Sequence, residues 1–140
     1  MLEDNYTRNA EILRVIDGDT WVLLVDLGFT VRVEIPVRLA GIDTPEVRGI
    51  ESRAGKFVVK CLHEFLGERT KCVLHSERFD RGKFGRSIGR IYIDGECIND
   101  WLVEQGFAWE LDDNGRSASR DIGHLNLPPG IITAIQAGST

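Results

Sequence analysis

The chain has 140 residues, 42% of them hydrophobic and 28% charged, with a net charge of −5. That composition suits one globular domain with a single core, and its acidity excludes a protein that holds nucleic acid by bulk positive charge. No run approaches the ~20 apolar residues of a membrane helix, and the N-terminus (MLEDNYTRNAEILRV) lacks the basic and apolar regions of a signal peptide. The expectation is no membrane partner and a cytoplasmic location, or secretion if a leader has been removed. Cys61, Cys72 and Cys97 are widely spaced, odd in number and free of any CxxC, so buried thiols are expected rather than a disulfide framework or a zinc site.

Residues 10–16, 21–26 and 31–39 are rich in β-branched and apolar side chains and are separated by Gly- and Asp-containing turns, which predicts three successive strands. Pro36 within the third implies an edge or a bulge. From 51 to 66 the period changes: Ala54, Phe57, Val58, Cys61, Leu62, Phe65 and Leu66 recur every three or four residues, and Gly67 follows as a stop. That is an amphipathic helix. Strands at 71–76 and 88–93, a turn at Gly95 and a short helix from 98 to 105 before Gly106 complete the series. The order predicts an α+β, mainly β fold: a five-stranded Greek-key barrel of the OB type with two packed helices. Residues 1–113 form this domain, and 114–140 read as its mostly irregular tail, with a docking segment near Ile131 to Ile135.

Three motifs could carry chemistry. Asp17-Gly18-Asp19-Thr20 falls between the first two strands, where Asp-Gly alone reads as a hairpin turn. Arg38-Leu39-Ala40-Gly41-Ile42-Asp43-Thr44-Pro45-Glu46 leaves the third strand and alone reads as a strand arginine followed by a polar loop. Lys83-Phe84-Gly85-Arg86 is a glycine turn whose basic residues alone would be solvated. Together they offer more. Two aspartates at one end of a barrel supply hard oxygens suited to Ca²⁺ or Mg²⁺. Arg38 and Arg86 supply planar forks that match phosphate oxygens, and Glu46 could orient or deprotonate a water. Cation, fork and base are what hydrolysis of a phosphodiester requires.

With these residues in hand, the chain resembles the staphylococcal nuclease (thermonuclease-like) family over residues 11–109. The resemblance rests on VIDGDTWVLL, the Arg-x4-Asp-Thr-Pro-Glu block, the Lys-Phe-Gly-Arg turn and RIYIDGECINDWLVEQGFAW, all in order. It implies that Asp19 and Asp43 ligate Ca²⁺ with the main-chain carbonyl of Thr44, that Asp17 stands just behind them, and that Glu46 is the general base. Arg38 and Arg86 would bind the scissile phosphate, and Lys83 and Phe84 the substrate. The family cleaves DNA and RNA with little sequence preference, leaving 3′-phosphate ends, so single-stranded DNA and RNA are the expected substrates of a monomer. Two departures are visible: Phe84 replaces the family's tyrosine, and Asp112 and Asp113 stand where the family has base-flanking aromatics before a third, charged helix.

The remaining features read as structure. His63, His75 and His124 are expected to be solvated, and Trp21, Trp101 and Trp109 to pack, with Trp109 the one candidate for contact with a base. Arg78, Arg81, Lys83, Arg86 and Arg90 form a basic run, either a solvated face or a substrate track. The alternative to a nuclease is a non-catalytic nucleic-acid or protein binding module on the same fold, or an assembly protein using the apolar IITAIQ tail.

Overall fold

The computed structural model describes residues 5–80, 86–112, 114–115, 117 and 120–138, without the side chains of 78–80 and 86. Strand β1 (Thr7–Asp17) pairs antiparallel with β2 (Thr20–Gly28) and with β5 (Lys71–Asp80); β2 pairs with β3 (Val31–Leu39), and β5 with β6 (Arg86–Ile93). A parallel pairing of β3 with β6, Val37 to Ser87 through Leu39 to Gly89, closes the barrel. This is the five-stranded OB-type barrel that the order of elements predicts. Pro36 pairs with Val22 of β2 and stands one residue before the β3–β6 pairing begins, so its missing N–H costs no closure bond.

Four of the five barrel strands run further than their composition suggests, most of all β1, which starts at Thr7, and β5, which reaches Asp80. Register slips between Ile12 and Arg14 and between Val15 and Asp17 bend β1 around the barrel. They also reset which face each side chain takes. Ala10, Ile12, Val15 and Asp17 are buried or half-buried while Leu13 and Ile16 are exposed, and so Asp17 arrives on the inner side.

Helix α1 (Ser52–Leu66) lays Ala54, Val58, Leu62 and Leu66 onto the barrel at four-residue spacing. A Cβ on Gly55 would lie 2.2 Å from the Glu46 carbonyl oxygen, so only glycine lets the segment after β3 cross this helix. Helix α2 (Ile98–Glu104), preceded by the short β7 (Glu96–Cys97), buries Ile98, Asn99 and Leu102. Asn99 is fully buried and ties three pieces together: its Nδ2 donates to the carbonyls of Ala40 (2.9 Å) and Gly89 (3.2 Å), and its Oδ1 accepts from the Ile91 amide (3.2 Å).

The C-terminal segment departs from its expected irregularity. Ile122, Leu125 and Leu127 are core residues, and Pro128-Pro129 opens a third helix, α3 (Pro129–Gln136), with proline at its first position. Ile131, Ile132 and Ile135 pack half-buried against the core, so the docking segment is real but helical, and the packed helices number three among the described residues. The sequence hides this because PGIITAIQ is too short and too uniformly apolar to show a period.

Candidate active site

The site is built where β1 turns into β2 and where the chain leaves β3. Asp17 pairs with Thr20, which leaves Gly18 and Asp19 as the turn. A Cβ on Gly18 would come within 2.9 Å of both Thr44 Oγ1 and Val58 Cγ1, so the turn, the 44–47 segment and α1 meet only because this residue has no side chain. Asp17 Oδ1 accepts from the Val47 amide at 3.0 Å and pins that segment from behind.

Asp19 is 3% exposed. Its Oδ2 accepts from the Thr44 amide (3.1 Å) and from Arg38 Nη1 (3.2 Å), and its Oδ1 from the Thr20 hydroxyl (3.2 Å). The register that sets Thr20 opposite Arg38 brings the guanidinium to this carboxylate. The other arm of Arg38, Nη2, donates to Asp43 Oδ1 at 3.3 Å, so one planar fork bridges the two aspartates. Asp43 itself is placed by a two-residue ladder, β4 (Ile42–Asp43) against β8 (Trp109–Glu110), in which Asp43 faces Trp109. Burial, with a smaller contribution from neighbouring Asp43, pushes the Asp19 carboxyl up to about 6 against the pull of Arg38.

Arg120 reaches the same cluster from the far end of the chain. Its Nη1 donates to Asp43 Oδ2, its Nη2 donates to the Thr44 carbonyl (3.3 Å) and to Glu51 Oε1 (2.5 Å), and its guanidinium carbon lies 4.5 Å above the Trp109 ring. Glu51 Oε1 also accepts from the Glu46 amide (3.2 Å). Glu46 is exposed and lines a pocket of about 350 Å³ together with Arg48, Glu51 and Arg120.

The structure thus brings Asp19, Arg38, Asp43 and Thr44 into contact, with Asp17 behind them and Glu46 at the rim. Arg86 opens β6 two residues before Ile88, the partner of Arg38, but its side chain lies outside the described residues, as do Lys83 and Phe84. Sequence reasoning missed Arg120 and Glu51. The segment RSASRD has no period to place its arginine, and 77 residues separate Arg120 from Asp43. Trp109 does not present itself to a base: it is 6% exposed, covered by Arg120, and its Nε1 donates to the Asp121 carbonyl at 3.0 Å. His63 and His124 are exposed as expected, whereas His75 is half-buried and hydrogen-bonded to the Thr7 hydroxyl at 3.0 Å. Of the basic run, Arg90 pairs with Glu77 and Asp100 on the barrel wall, so it is a structural bridge. All three cysteines are free thiols, and burial pushes Cys72 up to about 12.

The donor set suits a hard divalent cation. Among the described residues no three His, Cys, Asp or Glu side chains cluster as a metal site, so main-chain and hydroxyl oxygens must join the two carboxylates. The Thr44 carbonyl is one such oxygen. Thr44 Oγ1, packed against Gly18, is buried without a hydrogen-bond partner among the described residues.

A closed OB-type barrel thus carries a carboxylate–arginine cluster at the ends of its first three strands. Comparison with known proteins assigns this chain to a family. The family model described as staphylococcal nuclease homologue matches residues 36–125. The chain is 31% identical over 122 residues to protein ParB of Escherichia coli, covering 81% of this chain and 63% of that one. It is 33% identical over 104 residues to the thermonuclease of Staphylococcus intermedius (69% and 56%), and 29% identical over 108 residues to endonuclease YncB of Bacillus subtilis (71% and 46%). The chain belongs to the staphylococcal nuclease family, and it spans less than two thirds of the length of each of these relatives.

Proposed function

We propose that this domain is a Ca²⁺-dependent phosphodiesterase that cuts single-stranded DNA and RNA with little sequence preference and leaves 3′-phosphate ends. The observation that carries the reading is the Arg38 fork held between Asp19 and Asp43. A buried and a half-buried carboxylate beside one another repel, and an arrangement that gathers them at a strand end suits a site that binds positive charge. Asp19, Asp43 and the Thr44 carbonyl would hold the ion, which when bound polarises a phosphate oxygen and offsets the charge that develops in the transition state.

The chain's own residues supply the rest. A guanidinium has five N–H groups, so Arg38 can donate to both carboxylates and still face phosphate oxygens, where its fixed fork orients the scissile group. Arg86 adds a second fork by the family resemblance, and Lys83 and Phe84 a contact to the neighbouring nucleotide. Glu46, exposed at the rim, can accept a proton from an attacking water while its backbone stays anchored to Glu51.

The test is cleavage of single-stranded DNA and RNA oligonucleotides with Ca²⁺, with EDTA, and with variants. Asp43→Asn should abolish cleavage. Arg38→Lys should keep the fold and slow turnover on the order of 10²-fold, because an ammonium keeps the charge but loses the fork. Undiminished cleavage in EDTA would sink the metal reading, and binding of oligonucleotides without any cleavage would favour a binding module.

A further inference from the structure

Arg120 grips two of the oxygen groups on which the cation reading depends. Its Nη1 is on Asp43 Oδ2 and its Nη2 on the Thr44 carbonyl, the same carboxylate and the same carbonyl that would face the ion. Nothing in the barrel forces this. The residue comes from the irregular stretch between β8 and the turn at Ile122–His124, and its side chain is about a third exposed. What holds it is the platform of Trp109 beneath the guanidinium and the carboxylate of Glu51 beside it. Stacking on an aromatic face while donating in its own plane to oxygens is a geometry for which arginine is suited and lysine is not.

We propose that Arg120 is a tethered cation that competes with Ca²⁺ for Asp43 and the Thr44 carbonyl, so that the ion loads only as the guanidinium withdraws from those oxygens. The proposal rests on the Ca²⁺ reading above. A fixed positive charge in contact with a ligand carboxylate repels a divalent ion and occupies the lone pairs that the ion needs. Glu51 gives the withdrawing guanidinium a partner to keep, since its Oε1 accepts from Nη2 while Asp43 takes Nη1, and it is anchored to the Glu46 amide. Arg120 therefore sets the affinity for the ion and couples ion loading to the segment that carries Glu46.

The test is calorimetric titration of Ca²⁺ into the parent chain and into Arg120→Met and Arg120→Lys, with circular dichroism confirming the fold of each. Methionine keeps an apolar stem over Trp109 and removes the charge, so Ca²⁺ should bind about tenfold more tightly or better, the scale on which a single adjacent charge acts at a partly exposed site. Lysine keeps the charge and should lie closer to the parent; it also carries the test if the methionine variant does not fold, since loss of the fork alone should still tighten binding measurably. Equal or weaker Ca²⁺ binding in both variants would overturn the proposal and make Arg120 a residue that positions the ligands. Asp43→Asn separates the two readings. If it leaves Ca²⁺ binding unchanged, the cation reading fails and the competition fails with it; if it abolishes binding while Arg120→Met does not tighten it, only the competition fails.

Discussion

At Asp19 burial and ion pairing oppose one another. Its carboxyl is buried and stands next to Asp43, which pushes it up to about 6 from an ordinary 3.8 even though Arg38 pulls it down. Because the folded-state value lies above the unfolded one, folding favours the protonated acid. The stability this contributes is complete below pH 4 and is lost as the pH rises through about 6. Asp19→Asn keeps an oxygen for Arg38 and the Thr44 amide while removing the buried charge. In EDTA at pH 8 it should therefore melt above the parent, by on the order of 1–2 kcal/mol, and the two should converge near pH 4. Thermal melts at pH 4, 6 and 8 check this, and a variant that is less stable by the same amount at every pH would mean that lost hydrogen bonds outweigh the relieved charge. At this scale Asp19, Arg38 and Asp43 were legible because they fall in the turn between two plain strands, at the end of a third, and in the motif that follows it. Arg120 was not, because a lone arginine in an aperiodic segment carries no signal of what it will touch.

Among the elements, α1 announces itself by its period and the long strands by their β-branched content, whereas the pieces that place the site are too short to do so. The β4–β8 ladder has two residues on each side, yet it fixes Asp43 against Trp109. Helix α3 is similar: eight residues with only Thr133 and Gln136 as polar side chains leave its type open until the core offers Ile131, Ile132 and Ile135 something to cover. Since those side chains are only half-buried, a chain ending at Pro128 should keep the barrel and lose on the order of 2–4 kcal/mol, a fall in Tm of about 10 °C. A thermal melt with near-ultraviolet circular dichroism reads both quantities. Loss of the cooperative transition altogether would show that α3 belongs to the core that folds the barrel and does not merely cover it.

For the whole molecule, the consequence of gathering Asp19, Asp43, Glu46 and Glu51 around Arg38 and Arg120 is that folding concentrates negative charge at one end of an already acidic chain. An ion that binds only the folded arrangement stabilises it by mass action, by about 2.7 kcal/mol when present at a hundred times its Kd, which for a chain of this size is roughly 5–10 °C. Differential scanning calorimetry across a Ca²⁺ series should show that rise in the parent and none in Asp43→Asn. A Tm indifferent to Ca²⁺ in the parent would argue that the cluster is held by its arginines alone.

The sequence by itself determined the barrel, its order of strands, the main helix and the motifs that carry Asp19, Arg38 and Asp43, because those depend on local period, turn chemistry and motif. Only the tertiary structure decided that Arg38 bridges both aspartates, that Trp109 is a platform and not an open face for a base, that the tail returns to the core, and that Arg120 lies on the ligands. Each of these is a meeting of segments far apart in the chain. Such meetings are fixed by which surfaces remain to be buried once the barrel has closed, and no single segment contains that information.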